Sequence, residues 1–345
     1  MKYIHMDGVE PGQYLGRTIF SASGAILLAE GVQLTVFMIH TLRRIGVTMI
    51  FIKDPRLEDV AIPEMVSEDN KREVMQRLGE VMQAVRSGKD FDARNTSQVI
   101  DQLIEDIVHN QEVLLQLTDI RTHDNEQYIH ALNVCTISSL IGLNMGLNPV
   151  QLKELAIGAL LHDIGKTELI HDDTMDDPRR HHTWRGFELL KLKREYSLLI
   201  AHVAFQHHEA LDGSGFPRGL QEEDIHLYAR VVAVANMYDR LRYRTVNGDQ
   251  DLPMPDQACE QLMAMAGREL DHDVVIHFLR TVSIYPTGAS VRLTTKETGV
   301  VVGQHRGLPS RPIVRIVTKD SGNDYDVKEV DLAKHTTIFI ESLMM

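Results

Sequence analysis

The chain has 345 residues, 43% of them hydrophobic, and carries 49 acidic against 36 basic side chains for a formal net charge of -13. That length suits two or three domains with cores of their own. The acidic balance excludes a general electrostatic grip on nucleic-acid backbone or anionic lipid, so a polyanionic ligand needs a locally positive site. Only Cys135 and Cys259 are present, which argues against thiolate clusters and fits a reducing compartment; both read as small core residues.

Residues 1 to about 55 read as a small α/β unit. Short strands are expected at Leu15 to Phe20 and Ala25 to Ala29 around the Ser21-Ala22-Ser23-Gly24 turn, then a helix with Met38, Leu42 and Ile45 on one face, then a strand through Met49, Phe51 and Ile52. The opening MKYIHMDGVEPG has no signal-peptide core, and no apolar run approaches the roughly 18 residues that span a bilayer. The expectation is a soluble, cytoplasmic protein with no membrane partner. Residues 65–116 read as a helical linker region, with Val74, Leu78, Val81, Met82 and Val85 in one segment and Val99, Leu103, Ile104, Ile107, Leu114 and Leu115 in the next, separated by Ser87-Gly88-Lys89-Asp90.

Residues 118–282 read as a helical domain. Its best-marked helix has Asn148 as N-cap, Pro149 at the first position, Leu152, Leu155, Ala159 and Leu160 inward, and Gly165 just past the end. Another is expected from His226 to about Leu241. After Pro286 the texture becomes strand-like, at Val291 to Leu293, Gly299 to Val302, Ile313 to Val317 and Thr337 to Ile340, so 286–345 reads as a β-rich region.

Of the 17 histidines, those at His109, His202 and His277 read as ordinary isolated side chains. The most suggestive, His130, His162, His182, His207 and His208, fall in the helical middle with polar company. Glu126 and His130 are four apart and share a helix face, so both can reach one metal cluster. The pair His162-Asp163 closes an apolar helix, His182 starts the helix HTWRGFELL, and His207-His208 ends SLLIAHVAFQHH. A carboxylate beside imidazoles can hold two divalent ions close, because its two oxygens can bridge them. The glycine- and proline-rich EALDGSGFPRGL that follows His208 suits a tight loop forming the wall of a ligand site.

HDIGK at 162–166 followed by HHEALDGSGFPRGL at 207–220 resembles the two signature segments of the HD-GYP branch of the HD phosphohydrolase superfamily. The resemblance covers about residues 118–282 and implies a central HD-type helical bundle. It implies metal ligands at Glu126, His130, His162, Asp163, His182, His207 and His208, with Asn236 at the place of the family's last aspartate ligand. Asp163 would bridge and Lys166 would face the substrate phosphate, as the catalytic pair. Gly215, Phe216 and Pro217 stand where the family has GYP, and Arg240 and Arg244 lie near the replaced DRPYR segment as candidate substrate contacts.

The implied activity is metal-dependent hydrolysis of a cyclic dinucleotide, cyclic di-GMP first, to pGpG or GMP. Two or three divalent ions are expected, and an all-nitrogen-and-oxygen ligand set favours Fe or Mn. Asn236 and Phe216 also support a catalytically weak receptor, while other HD hydrolases act on deoxynucleoside triphosphates or guanosine tetraphosphate. The flanking regions read as sensory, dimerising or structural, so a homodimer or a signalling partner protein is expected beside the nucleotide.

Overall fold

The computed structural model describes residues 1–117, 119–167, 177–243, 255–319 and 325–344. Contacts divide the chain into two compact units, one formed by residues 1–64, 112–126 and 280–345, the other by 65–111 and 127–279. The fold is mainly helical; along the chain a mixed N-terminal segment comes first, then a run of helices, then a strand-rich C-terminal region.

In the first unit β1 (Lys2–His5) pairs antiparallel with β4 (Met49–Ile52), and β2 (Ile19–Phe20) with β3 (Ile26–Leu28). Helix α1 (Val36–Arg44) starts at Thr35, whose side chain accepts from the Met38 amide. It buries Ile39 and Leu42 on the core of Ile4, Leu15, Ile19 and Ile50; Ile45 packs on that core in part, and Met38 is only half-buried. The sequence reading lacked β1, because KYIH is too short to show a period of its own.

The second unit begins with α2 (Glu68–Arg86) and α3 (Ala93–His109), packed on each other. Asp106 ties the start of α2 to α3, accepting from the Ser67 amide at 2.9 Å and from Asn70 Nδ2 at 2.7 Å. Helix α4 (Glu126–Asn144) mixes apolar residues with His130, Asn133, Thr136, Ser138 and Ser139 between Ile129 and Ile141, and all of that stretch but His130 is buried. Helix α5 (Pro149–Leu160) opens with a full capping box: Asn148 accepts from the Val150 and Gln151 amides, and Gln151 accepts from the Asn148 amide.

Helices α6 (His182–Lys191) and α7 (Leu198–Gln206) pack on each other, and α7 also packs on α5. A Cβ at Gly158 would lie 2.8 Å from Val203 Cγ2, so the missing side chain sets the α5–α7 approach. Helices α8 (Leu227–Tyr243), α9 (Pro255–Met265) and α10 (His272–Leu279) complete the bundle.

Strands β5 (Ser290–Leu293), β6 (Thr298–Gly303), β7 (Ile313–Lys319), β8 (Tyr325–Asp331) and β9 (Ile340–Leu343) form one antiparallel sheet in the order β8-β7-β6-β5-β9. The sequence reading missed β8 and set β9 three residues early. β8 carries Lys328 and Glu329 on an edge and pairs only with β7, so its apolar pattern is thin.

Replacing Asn148 with Ala removes the α5 cap and is expected to lower the stability of the helical unit by about 1 kcal/mol. The single tryptophan, Trp184 on α6, reports that unit. A lower urea midpoint by its fluorescence is the expected result; an unchanged midpoint would mean the cap contributes nothing.

Candidate metal centre

The last turn of α5 delivers the central pair. Leu161 caps the helix through its amide on the Ile157 carbonyl, and His162 and Asp163 follow in the turn before the short 3-10 helix Ile164–Thr167. His162 is fully buried, and its Nδ1 lies 2.7 Å from the Ala159 carbonyl oxygen. His207 closes α7 in the same way, with Nδ1 2.9 Å from the Ala204 carbonyl. A carbonyl only accepts, so each Nδ1 must donate, which leaves each Nε2 with a free lone pair. Both Nε2 atoms are buried and make no hydrogen bond, as is Asn236 Oδ1 on α8.

Those nitrogens converge on one carboxylate. Asp163 Oδ2 is 3.4 Å from His162 Nε2 and 3.7 Å from His130 Nε2. Asp163 Oδ1 is 3.3 Å from His182 Nε2 and 3.5 Å from His207 Nε2. Two imidazoles therefore face each oxygen, and two donor groups suited to metal result: Asp163 with His182, His207 and His208, and Asp163 with His130 and His162. Buried groups with unmatched lone pairs and only N and O donors are what a pair of divalent cations requires.

The electrostatics agree. Burial alone would raise the Asp163 pKa, but the surrounding imidazoles and the Lys166 cation outweigh it and hold the carboxyl well below its usual range. Desolvation pushes the His207 pKa down to about 3, against a partial lift from Asp163. His162 is lowered by the same burial, and His208 falls well below its ordinary value through desolvation and the neighbouring His207 and His182. These three rings are neutral at neutral pH, the state in which an imidazole can bind a metal.

Two glycines set the spacing. A Cβ on Gly165 would lie 2.0 Å from the His182 carbonyl oxygen and 2.7 Å from the Gly186 amide, so the HDIGK turn touches the backbone of α6 and brings His182 to Asp163. At Gly215 a Cβ would lie 2.2 Å from the Ala210 amide, which folds the loop back on the end of α7. There the Phe216 amide donates to the His208 carbonyl at 2.9 Å, and the Phe216 ring meets His181 edge-on at 4.6 Å. Pro217 is buried behind a cis peptide bond.

Lys166 is exposed and ion-pairs with Asp163 Oδ2 at 2.5 Å. Arg240 is half-buried near the end of α8, and its charge is among those that lower His208. Glu126 is exposed at the head of α4 and belongs to neither donor group. Arg244 lies outside the described residues.

Three residues escaped the sequence reading. Asp239, fully buried on α8, meets His130 Nδ1 at 2.6 Å and accepts from Asn133 Nδ2 at 2.9 Å. Glu209 is buried and accepts from the Arg218 and Leu220 amides, both at 2.9 Å, pinning the loop. His181 caps α6, and its ring lies tilted against that of His182 at a centroid distance of 4.1 Å. Of these only Asp239 left a trace, as an acid one helical turn after Asn236 in an apolar helix.

Residues 102–274 match the HD domain family. The chain belongs to that family. Residues 290–344 match a KOW domain associated with the HD domain, which accounts for the C-terminal sheet. Among similar proteins is a cyclic di-GMP phosphodiesterase of Pseudomonas aeruginosa, 31% identical over 67% of this chain and 57% of its own length. Another is a cyclic di-GMP phosphodiesterase of Thermotoga maritima, 33% identical over 49% of this chain and 48% of its own. The chain thus spans about half the length of these relatives. The solved structure of Bd1817, an HDG"Y"P protein from Bdellovibrio bacteriovorus, shares the fold, with a TM-score of 0.51 at 18% identity over 80% of this chain and 97% of that one.

Replacing Gly165 with Ala must displace the start of α6 and with it His182. Divalent-metal affinity, titrated calorimetrically with Mn2+, is expected to fall about tenfold or more; wild-type affinity would remove the close approach from the site's design.

The neutral buried rings also predict a pH dependence. Above the ordinary value of 6.5 the His207 ring is neutral in folded and unfolded chains alike; below it the unfolded chain takes a proton that the folded ring refuses until about 3. Stability of the metal-free protein should therefore fall as pH drops from 6.5, by about 1 kcal/mol per such histidine over the first unit. Urea midpoints from Trp184 fluorescence at pH 7.5 and 5.5 measure this, and a midpoint that rises at 5.5 contradicts it.

Proposed function

We propose that this chain is a metal-dependent phosphodiesterase that hydrolyses a cyclic dinucleotide, cyclic di-GMP first, to pGpG or GMP in the cytoplasm. The observation that carries the reading is Asp163, a half-buried carboxylate with two imidazoles facing each oxygen. The names of the relatives from Pseudomonas aeruginosa and Thermotoga maritima support the substrate class. Among the described residues no helix is long and apolar enough to cross a membrane.

Asp163, with His130 and His162 in one donor group and His182, His207 and His208 in the other, would hold two divalent ions, Fe or Mn. Glu126, one turn before His130 on α4, and Asn236 are the proposed further ligands, for a third ion or for completing the first two. When bound, such ions activate a water, neutralise phosphoryl charge and stabilise the leaving alkoxide. The chain supplies the rest. Lys166, exposed beside Asp163, offers a cation to a nonbridging phosphate oxygen. Gly215, Phe216 and Pro217 form a wall beside His181 and His208, with the phenyl ring offering a face to a base, and Arg240 and Arg244 are the proposed contacts to the ligand's outer phosphate.

The neutral amide of Asn236 and the lost tyrosine hydroxyl at Phe216 also fit a receptor that binds without turnover, and the assay separates the two. Anaerobically purified protein should contain at least two Fe or Mn ions per chain and release pGpG or GMP from cyclic di-GMP, followed by product chromatography. Bound but uncleaved nucleotide is the receptor result. Asp163→Ala should lose metal, whereas Lys166→Ala should keep it and lose about 2 to 4 kcal/mol of transition-state stabilisation in kcat/KM. Asn236→Asp restores a charged ligand and should raise both metal retention and rate; an unchanged titration would take Asn236 out of contact with metal.

A further inference from the structure

A carboxylate with no solvent contact has to be explained, because burying a charge costs stability unless partners compensate it. Asp239 is such a group, with 0% exposure on α8. It faces two polar side chains three residues apart on α4, hence on one face of that helix: His130, at 2.6 Å from Oδ2, and Asn133, at 2.9 Å from Oδ1. A close-packed helix pair could hold apolar groups here. The two hydrogen bonds fix the carboxylate from both ends.

We infer that Asp239 is a positioning residue of the metal centre, holding His130 by Nδ1 so that its Nε2 is presented, deprotonated, on the side of Asp163. The inference rests on the metal-dependent reading above and adds to it. An ionised carboxylate only accepts, so the proton of the His130–Asp239 bond belongs to Nδ1, and the lone pair of the neutral ring stands on Nε2, 3.7 Å from Asp163 Oδ2. His162 and His207 reach the same state through backbone carbonyls. His130 has a full negative charge behind it, which makes its Nε2 a stronger donor than theirs.

Asn236 and Asp239 share a face of α8, one turn apart. Asn236 presents a neutral, buried Oδ1, so α8 brings its negative charge to the cluster indirectly, through the His130 ring. Asn133 contributes at one further remove, by preventing the carboxylate from rotating away from the ring.

The direct test uses the full-length, metal-free wild-type protein with 15N-labelled histidine at pH 8, the His130 signals being assigned by their loss in His130→Gln. The expected spectrum shows His130 protonated on Nδ1 and bare on Nε2. Protonation on Nε2 overturns the inference. In parallel, Mn2+ is titrated into wild type, Asp239→Asn and Asn133→Ala, each checked for folding by Trp184 fluorescence. Asp239→Asn should weaken Mn2+ binding about 10- to 100-fold, with Asn133→Ala losing less and keeping the Nδ1-protonated form. Wild-type affinity in a folded Asp239→Asn sinks the proposal. If that variant fails to fold, the wild-type tautomer and Asn133→Ala decide. A wild-type chain that takes up no Mn2+ fails the metal reading itself, and the tautomer then judges the His130–Asp239 link alone.

Discussion

The structure is organised around the environment of one carboxylate. Asp163 lies in the turn after α5, and each of its oxygens has two imidazole nitrogens within 3.7 Å. Those imidazoles come from α4, the end of α5, the start of α6 and the end of α7. Four elements must therefore meet within a few ångströms of a point, and the bundle's packing is arranged accordingly. Gly158 lets α7 lie close on α5, and Gly165 lets α6 touch the turn that carries Asp163. Both glycines have negative φ, so the absence of a side chain matters here for space and not for backbone freedom.

The same carboxylate shows why the site is polar yet buried. His162 and His207 satisfy their Nδ1 atoms on carbonyls of their own helix ends, where such oxygens lack intrahelical partners. Helix termini thus perform two tasks at once. They place the rings, and they select the tautomer that leaves Nε2 basic.

Much of this was legible in the sequence, for identifiable reasons. Asn148 and Pro149 start α5 and apolar periodicity carries it, so the position of His162-Asp163 at its end follows from counting residues. His207-His208 closes α7 by the same logic, and the glycine-rich segment after it announces a loop. Asp239 was not legible, because its role depends on His130, 109 residues away in the chain. Glu209 was hidden for another reason: its partners are backbone amides, which every residue possesses. His181 and His182 differ only in helix phase, and phase at an N-terminus is where sequence patterns are weakest. In the sheet, β8 escaped because a charged edge strand is designed to look unlike a core one.

Glu209 has a further consequence. Its two carboxylate oxygens hold the amides of Arg218 and Leu220, so residues 209–220 form a closed clip of fixed perimeter, attached directly to the pair His207-His208. Within it Gly215 lies against the start of the clip, and Asp212 and Ser214 form an exposed tip. Divergence in such a clip is partitioned. Side chains at the tip can drift without disturbing the histidines, whereas a one-residue insertion or deletion would unfasten an amide from Glu209 and shift the Phe216 ring. New ligand preferences on this scaffold would therefore arise by exchanging residues at constant loop length.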